Sequence, residues 1–208
     1  MYIPAAFRED RIDVLHEAMR EYSFATLVST GQDGLIATHL PLLLDASRGT
    51  YGTLIGHVAR ENPHWRAFEG SQETLAMFQG PHAYITPSWY EAELAVPTWD
   101  YATVHAYGVP RIIEDHDELL AHLRSLIATH EAQFARPWPG ALPEDYLDTM
   151  MKGIVGFSIR LTRLEGKFKM SQNRSTTDRE RVSAELMATD DPMRREVGEL
   201  VQGTRHRD

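Results

Sequence analysis

Cysteine is absent from all 208 residues, which excludes disulfides, thiolate metal sites and cysteine nucleophiles. No run approaches the roughly 18 uninterrupted apolar residues of a membrane span. The opening MYIPAAFRED lacks the basic-then-apolar pattern of a signal peptide, so the expected compartment is the cytoplasm. Positive charge is in short supply: 21 Lys and Arg face 30 Asp and Glu, a formal net charge of −9. Nonspecific affinity for nucleic acid comes mainly from basic groups that release condensed counterions, and the first 150 residues concentrate no such patch. GxGxxG, GxxxxGK[ST] and GxSxG are all missing, so dinucleotide, P-loop and serine-hydrolase readings lack their signatures. Ten histidines are present, but no HxxxH or HExxH occurs. His116, His122 and His130 lie six and eight residues apart, a spacing that does not converge on a metal.

What is present reads as an ordinary globular chain, 42% apolar and 25% charged. Ile12, Leu15, Met19 and Tyr22 predict an amphipathic helix over 9–21. SFATLVST and LIATHLPLLLD flank a Gly/Asp turn and predict a hairpin, with an edge or bulge at Pro41. TLIGHVA is a third strand, followed by a short helix over 63–69 with Asn62 as its cap and Pro63 in the first turn. TLAMFQG and HAYITP read as two strands separated by Gly80-Pro81. DYATVHAYGVPRIIED is another strand. A long helix follows from Asp115, then EDYLDTMM as a short one. IVGFSIRLTRLEG alternates as a strand with one buried face. Thr177 and Glu180 form a capping-box pair opening a helix, and Asp191-Pro192 opens the last. The fold class is mainly β with peripheral helices. Residues 1–175 are expected to form the principal domain, with 176–208 as a helical extension packed on it.

Three clusters carry chemistry. LIGHVARENPHW, residues 54–65, places His57, Arg60, Asn62 and His64 where a strand meets a helix start, a make-up suited to a metal, an anion or a simple cap. On the strand at 99–107, Trp99, Tyr101, Thr103, His105 and Tyr107 share one parity, while Ala102, Val104 and Ala106 share the other. The first face is aromatic and hydrogen-bonding and suits core packing, a planar ligand or a dimer contact. EGKFKMSQNRS, residues 165–175, gathers Lys167, Lys169, Ser171, Gln172 and Asn173 before a helix start, which favours negative groups.

HLPL (39–42), GHVARENPHW (56–65), FQGPHAYITPSWY (78–90), VPTWDYATVHAYG (96–108) and IVGFSIRLTRLEGKFKMSQNRSTTDR (154–179) occur in that order. Together they resemble the PaiB-type family, the FMN-binding negative transcriptional regulators. The resemblance implies an FMN-binding split β-barrel and a homodimer with flavin sites at the subunit interface. It further implies that Arg60 and Asn62 hold the FMN phosphate, with His57 and Ala59 lining the site. Thr38 and His39 would face the flavin ring, and Thr98, Trp99 and His105 would approach it. Lys167, Ser171, Gln172 and Asn173 would close the site. The family pattern carries Asn where this chain has Asp100, an exchange expected to weaken binding of an anionic cofactor.

The function implied is flavin-binding regulation, with DNA or a regulatory protein as partner. The alternatives are an FMN-dependent oxidoreductase, NAD(P)H-linked or an oxidase, and a haem-binding or haem-degrading protein using His57 or His206. No residue stands out as a general acid or base.

Overall fold

Two glycines make the first hairpin. In the computed structural model, which describes residues 1–68, 72–92, 94–140 and 142–203, β2 (Phe24–Gly31) and β3 (Gly34–Pro41) pair antiparallel from Phe24 opposite Pro41 to Gly31 opposite Gly34. Gly34 takes the positive φ of 113° that closes so tight a turn. Pro41 ends β3, which stands at one edge of the sheet, where a missing N–H costs no ladder bond.

The remaining strands are β1 (Arg8–Glu9), β4 (Leu43–Asp45), β5 (Thr53–Ala59), β6 (Thr74–Ile85), β7 (Thr98–Ile112) and β8 (Ile154–Lys169). Their order in the sheet is β3-β2-β6-β7-β8-β5-β4, with β1 paired to β8. Among the described residues, five α-helices accompany them: α1 (Ile12–Glu21), α2 (His116–Glu131), α3 (Glu144–Met151), α4 (Thr176–Met187) and α5 (Pro192–Gly203).

Several local expectations change. Gly80-Pro81 does not divide a strand, since β6 runs unbroken from Thr74 to Ile85. Its pairing to β2 covers only Leu75–Met77, so Pro81 needs no N–H on that side. The helix expected at 63–69 is a 3-10 helix over Pro63–Phe68. The cap of α4 is Ser175, whose hydroxyl accepts from Asp178 N, two residues before the expected Thr177. On α2 the buried residues are Leu119 and His122.

By its internal contacts the chain divides into two units. Unit 1 comprises Met1–Ala18, Phe78–His105 and the chain from Glu165 onward; unit 2 comprises Met19–Met77 and Ala106–Leu164. In unit 1, Val182, Leu186, Val197 and Val201 of α4 and α5 join Ala83, Ile85, Tyr90, Ala102 and Met170 in one core. In unit 2, Ile113, Leu119 and Met151 pack with Ile55 and Ile154, seating α2 and α3 on β5 and β8. Gly156 of β8 permits this approach, because a Cβ there would stand 2.5 Å from Leu119 Cδ1.

Candidate functional site

In unit 2 the stretch after β5 is held by hydrogen bonds of three kinds. Arg60 is exposed, yet its Nε donates to the Lys152 carbonyl at 2.7 Å and its Nη2 to the Ile154 carbonyl at 2.8 Å. Its backbone N–H donates to Gly153 O at 2.8 Å. The Trp65 indole N–H donates back to Arg60 O at 3.0 Å. Asn62 Oδ1 accepts from His64 N at 3.0 Å, the cap expected of it, while Nδ2 donates to Thr38 Oγ1 at 3.1 Å. The Ala59 carbonyl accepts from Asn62 N. Thr38 is half-buried on β3 and His39 beside it is exposed.

Arg60, Trp65 and Lys152 form one wall of a cavity of about 550 Å³, and Glu114, Asp115, His116 and Asp148 contribute to the rest of its lining. Its apolar part includes Ile112, Leu119 and Met151. His116 Nε2 lies 2.9 Å from Asp148 Oδ1, and this bond leads the causes that raise the His116 pKa.

His57 occupies the face of β5 that α2 covers. Its Nδ1 is 3.4 Å from His122 Nε2, with the rings edge to face. Burial, and then His57, push the His122 pKa down to about 4; burial lowers that of His57 too. Both rings are therefore neutral near pH 7. The other histidine weighed for haem, His206, lies outside the described residues. Among the described residues, no group of three or more His, Asp or Glu side chains is arranged to hold a metal ion.

Unit 1 holds the second half of the predicted set. β7 alternates as its sequence predicts: Asp100, Ala102 and Val104 are buried, Tyr101, Thr103 and His105 are half-exposed, and Trp99 is 52% exposed. Trp99 meets Tyr84 edge-on, ring centroids 5.9 Å apart, and His82 at 6.0 Å. Beneath it, Lys169 Nζ donates to Thr98 Oγ1 at 2.7 Å and Asp100 Oδ1 at 3.2 Å, and also reaches the Trp99 carbonyl. Ser171 Oγ donates to Asp100 Oδ2 at 2.6 Å. Asp100 is fully buried. Burial raises its pKa, and Ser171 and Lys169 oppose that rise. The carboxylate thus faces a cation and a hydroxyl inside the unit.

Ser171 adopts φ 58°, unusual for a residue with a Cβ. Gln172 braces the same turn, Oε1 accepting from Met170 N at 2.6 Å and Nε2 donating to Phe168 O. Lys167 is buried with its ammonium 5.1 Å from the Tyr101 ring centroid, and Asn173 is exposed. Sequence reasoning placed Lys169 in the basic cluster and His64 in the 54–65 cluster but neither in the flavin site, and it weighed His122 only as a metal ligand. The signal for His64 was its position one residue past the capped Pro63; no signal pointed to the others' partners, 65 to 71 residues away.

Residues 1–163 match the model of the family described as "Putative FMN-binding domain". The chain is 40% identical over 204 residues to the protease synthase and sporulation protein PAI 2 of Bacillus subtilis (strain 168), covering 97% of both. Among solved structures it is similar to the FAD and heme binding protein from Mycobacterium smegmatis, with a TM-score of 0.59 at 12% identity, covering 78% of this chain and 73% of that one. It is also similar to the flavocytochrome Anf3 from Azotobacter vinelandii, with a TM-score of 0.57 at 12% identity, covering 76% and 67%. At such identity the two structures speak for fold alone: a mainly antiparallel sheet of the split-barrel type with peripheral helices.

Proposed function

The chain belongs to the FMN-binding domain family, and on that premise we propose that it binds FMN as a homodimer and acts as a flavin-binding regulatory protein. The observation that carries this reading is the outward face of β7 in unit 1. Trp99, Tyr101, Thr103 and His105 stand half-exposed or exposed there, with the cation of Lys167 beside Tyr101. A planar, hydrogen-bonding ring system is what such a face suits.

Unit 2, taken by itself, carries donors suited to a phosphate. A phosphate needs a cation with directional N–H groups. Arg60 gives Nε and Nη2 to carbonyls, but its Nη1 makes no such bond among the described residues. Arg60 is therefore the phosphate ligand of this reading. Asn62, tied to Thr38, goes with the residues facing the ring rather than with the phosphate. Ser171, Gln172 and Thr98 shape the Lys169–Asp100 corner and orient Trp99. Asp100 does not repel an anion in the way its sequence position suggests, because Lys169 and Ser171 already neutralise and cover it.

FMN supplies reversible electron transfer when bound; the chain's own part is to bind and orient it. The regulatory half of the reading rests on the name of the Bacillus subtilis relative, a protease synthase and sporulation protein. The net charge of −9 favours a protein partner over direct DNA binding. The deciding measurement is the visible spectrum of freshly purified protein, with an FMN titration followed by flavin fluorescence. Oxidised-flavin absorption or saturable quenching is expected; the absence of both defeats the proposal.

A further inference from the structure

A chain of hydrogen bonds inside unit 2 runs through Asn62, Thr38, His64, Ser29 and Thr74, and its direction follows from the Thr74 end. His64 N donates to Asn62 Oδ1 at 3.0 Å, which orients the amide so that Nδ2 is the atom 3.1 Å from Thr38 Oγ1. Thr38 therefore accepts from Asn62, and its own proton is available to His64 Nδ1, 2.8 Å away. At the other end, the Thr74 hydroxyl lies 3.2 Å from the Val28 carbonyl and must donate to it, because a carbonyl only accepts. Ser29 then donates to Thr74, and its lone pairs face His64 Nε2 at 2.9 Å. The Thr74 end sets one arrangement of His64, a neutral ring protonated at Nε2 and accepting at Nδ1, and the Asn62 end accommodates it. The ring is fully buried, which disfavours a second proton.

We propose that His64 is a positioning residue that sets which hydrogen-bonding group of the ligand can sit at Thr38. This rests on the FMN reading above. With its proton directed to His64, Thr38 offers a ligand only a lone pair. Asn62 Nδ2 has a second hydrogen and offers a donor beside it. An acceptor next to a donor, 3.1 Å apart, is complementary to an N–H flanked by a carbonyl, the imide edge of the flavin pyrimidine ring. It is not complementary to a phosphate, whose oxygens need donors. His64 touches no ligand itself; it acts through Thr38.

Two measurements test this. Long-range proton–nitrogen NMR on histidine-labelled apoprotein, with His64 identified by the loss of its signals in His64→Gln, should show Nε2 protonated and Nδ1 bare between about pH 6 and 8. The opposite tautomer, or an imidazolium, overturns the proposal. Next, FMN and 3-methyl-FMN, which lacks the ring N–H, are titrated against each protein. Wild type should prefer FMN by about tenfold, the size of one net hydrogen bond. His64→Gln, whose amide can also accept from Thr38 and donate to Ser29, should keep that preference, and His64→Leu should lose it. Should the leucine variant not fold, Thr38→Val reads the same quantity and should lose the preference too. Equal affinity of wild type for the two flavins, or an undiminished preference in a folded His64→Leu or in Thr38→Val, overturns the assignment. Failure of wild type to bind FMN at all instead defeats the cofactor reading and the ring assignment with it, while the tautomer still stands or falls by NMR.

Discussion

At the scale of single residues, Arg60 and Asp100 show how a charged group can serve structure and site together. Arg60 secures the Lys152 and Ile154 carbonyls, so its planar fork is fixed before any ligand arrives. Arg60→Ala is expected to weaken FMN binding by on the order of 1.5–3 kcal/mol, the cost of a charged hydrogen bond. Arg60→Lys should recover little of it, since a lysine cannot hold two carbonyls and a phosphate in one plane. An unchanged Kd for Arg60→Ala would remove Arg60 from the site. Asp100 is the buried acceptor for both Lys169 and Ser171. Asp100→Ala strands both donors and should destabilise the protein by about 3 kcal/mol in urea unfolding, the low end for a broken buried pair, because Lys169 remains 18% exposed. Asp100→Asn keeps an acceptor and should cost about 1 kcal/mol. Equal losses for the two variants would show that the hydrogen bonds at Asp100 do not matter to stability.

At the scale of elements, α2 is the pH-sensitive one. Burial depresses the His122 pKa from 6.5 to about 4. Between those values the unfolded chain holds a proton that the folded chain does not, so stability rises with pH across that window. The contribution is fully present above about pH 6.5, falls as the pH drops and levels off below about 4. At 1.36 kcal/mol per unit it amounts to on the order of 3 kcal/mol. His57 shifts in the same direction. Urea unfolding at pH 7.5 and pH 5 should reveal the slope, and His122→Phe should flatten it; an equal slope in the variant would place its origin elsewhere. The approach of β7 to β8 in unit 2 is a second constraint. A Cβ at Gly108 would collide with the backbone carbonyl of Arg160 and with Ile159. Backbone cannot swing aside as a side chain does, so Gly108→Ala should cost about 3 kcal/mol, the upper end for overpacking, read as a lower urea midpoint.

At the scale of the whole molecule, charge decides the choice of partner. An excess of nine negative charges repels a polyanion except at a local patch. The basic residues gathered between Arg160 and Arg181 are partly engaged: Arg163 stacks 3.4 Å over the Tyr107 ring, and Lys169 is held by Asp100. A mobility-shift assay at about physiological salt is expected to show no retardation of DNA. Retardation that survives such salt would favour direct binding over a protein partner. Among the described residues, no helix is long and apolar enough to cross a membrane.

Much of the fold was legible because its signals are local. The two-residue period of β7, small residues on one parity and aromatic or polar ones on the other, reappears as its burial pattern. Asn62 before Pro63 announced its cap. Local rules also misled where two neighbours competed: Ser175 takes the capping role that Thr177 could have filled, and β6 continues through Gly80-Pro81 where a break was expected. The candidate site was legible in composition but not in partnership. His57 meets His122, Thr98 meets Lys169, and Thr38 meets both Asn62 and His64; none of these pairs is close in the chain. Periodicity, caps and net charge follow from covalent geometry and residue type, so the sequence by itself determined them. Which buried polar groups satisfy one another depends on strand register and helix seating. Only the tertiary structure could decide that Thr38 lies against His64 and that Asp100 faces Lys169.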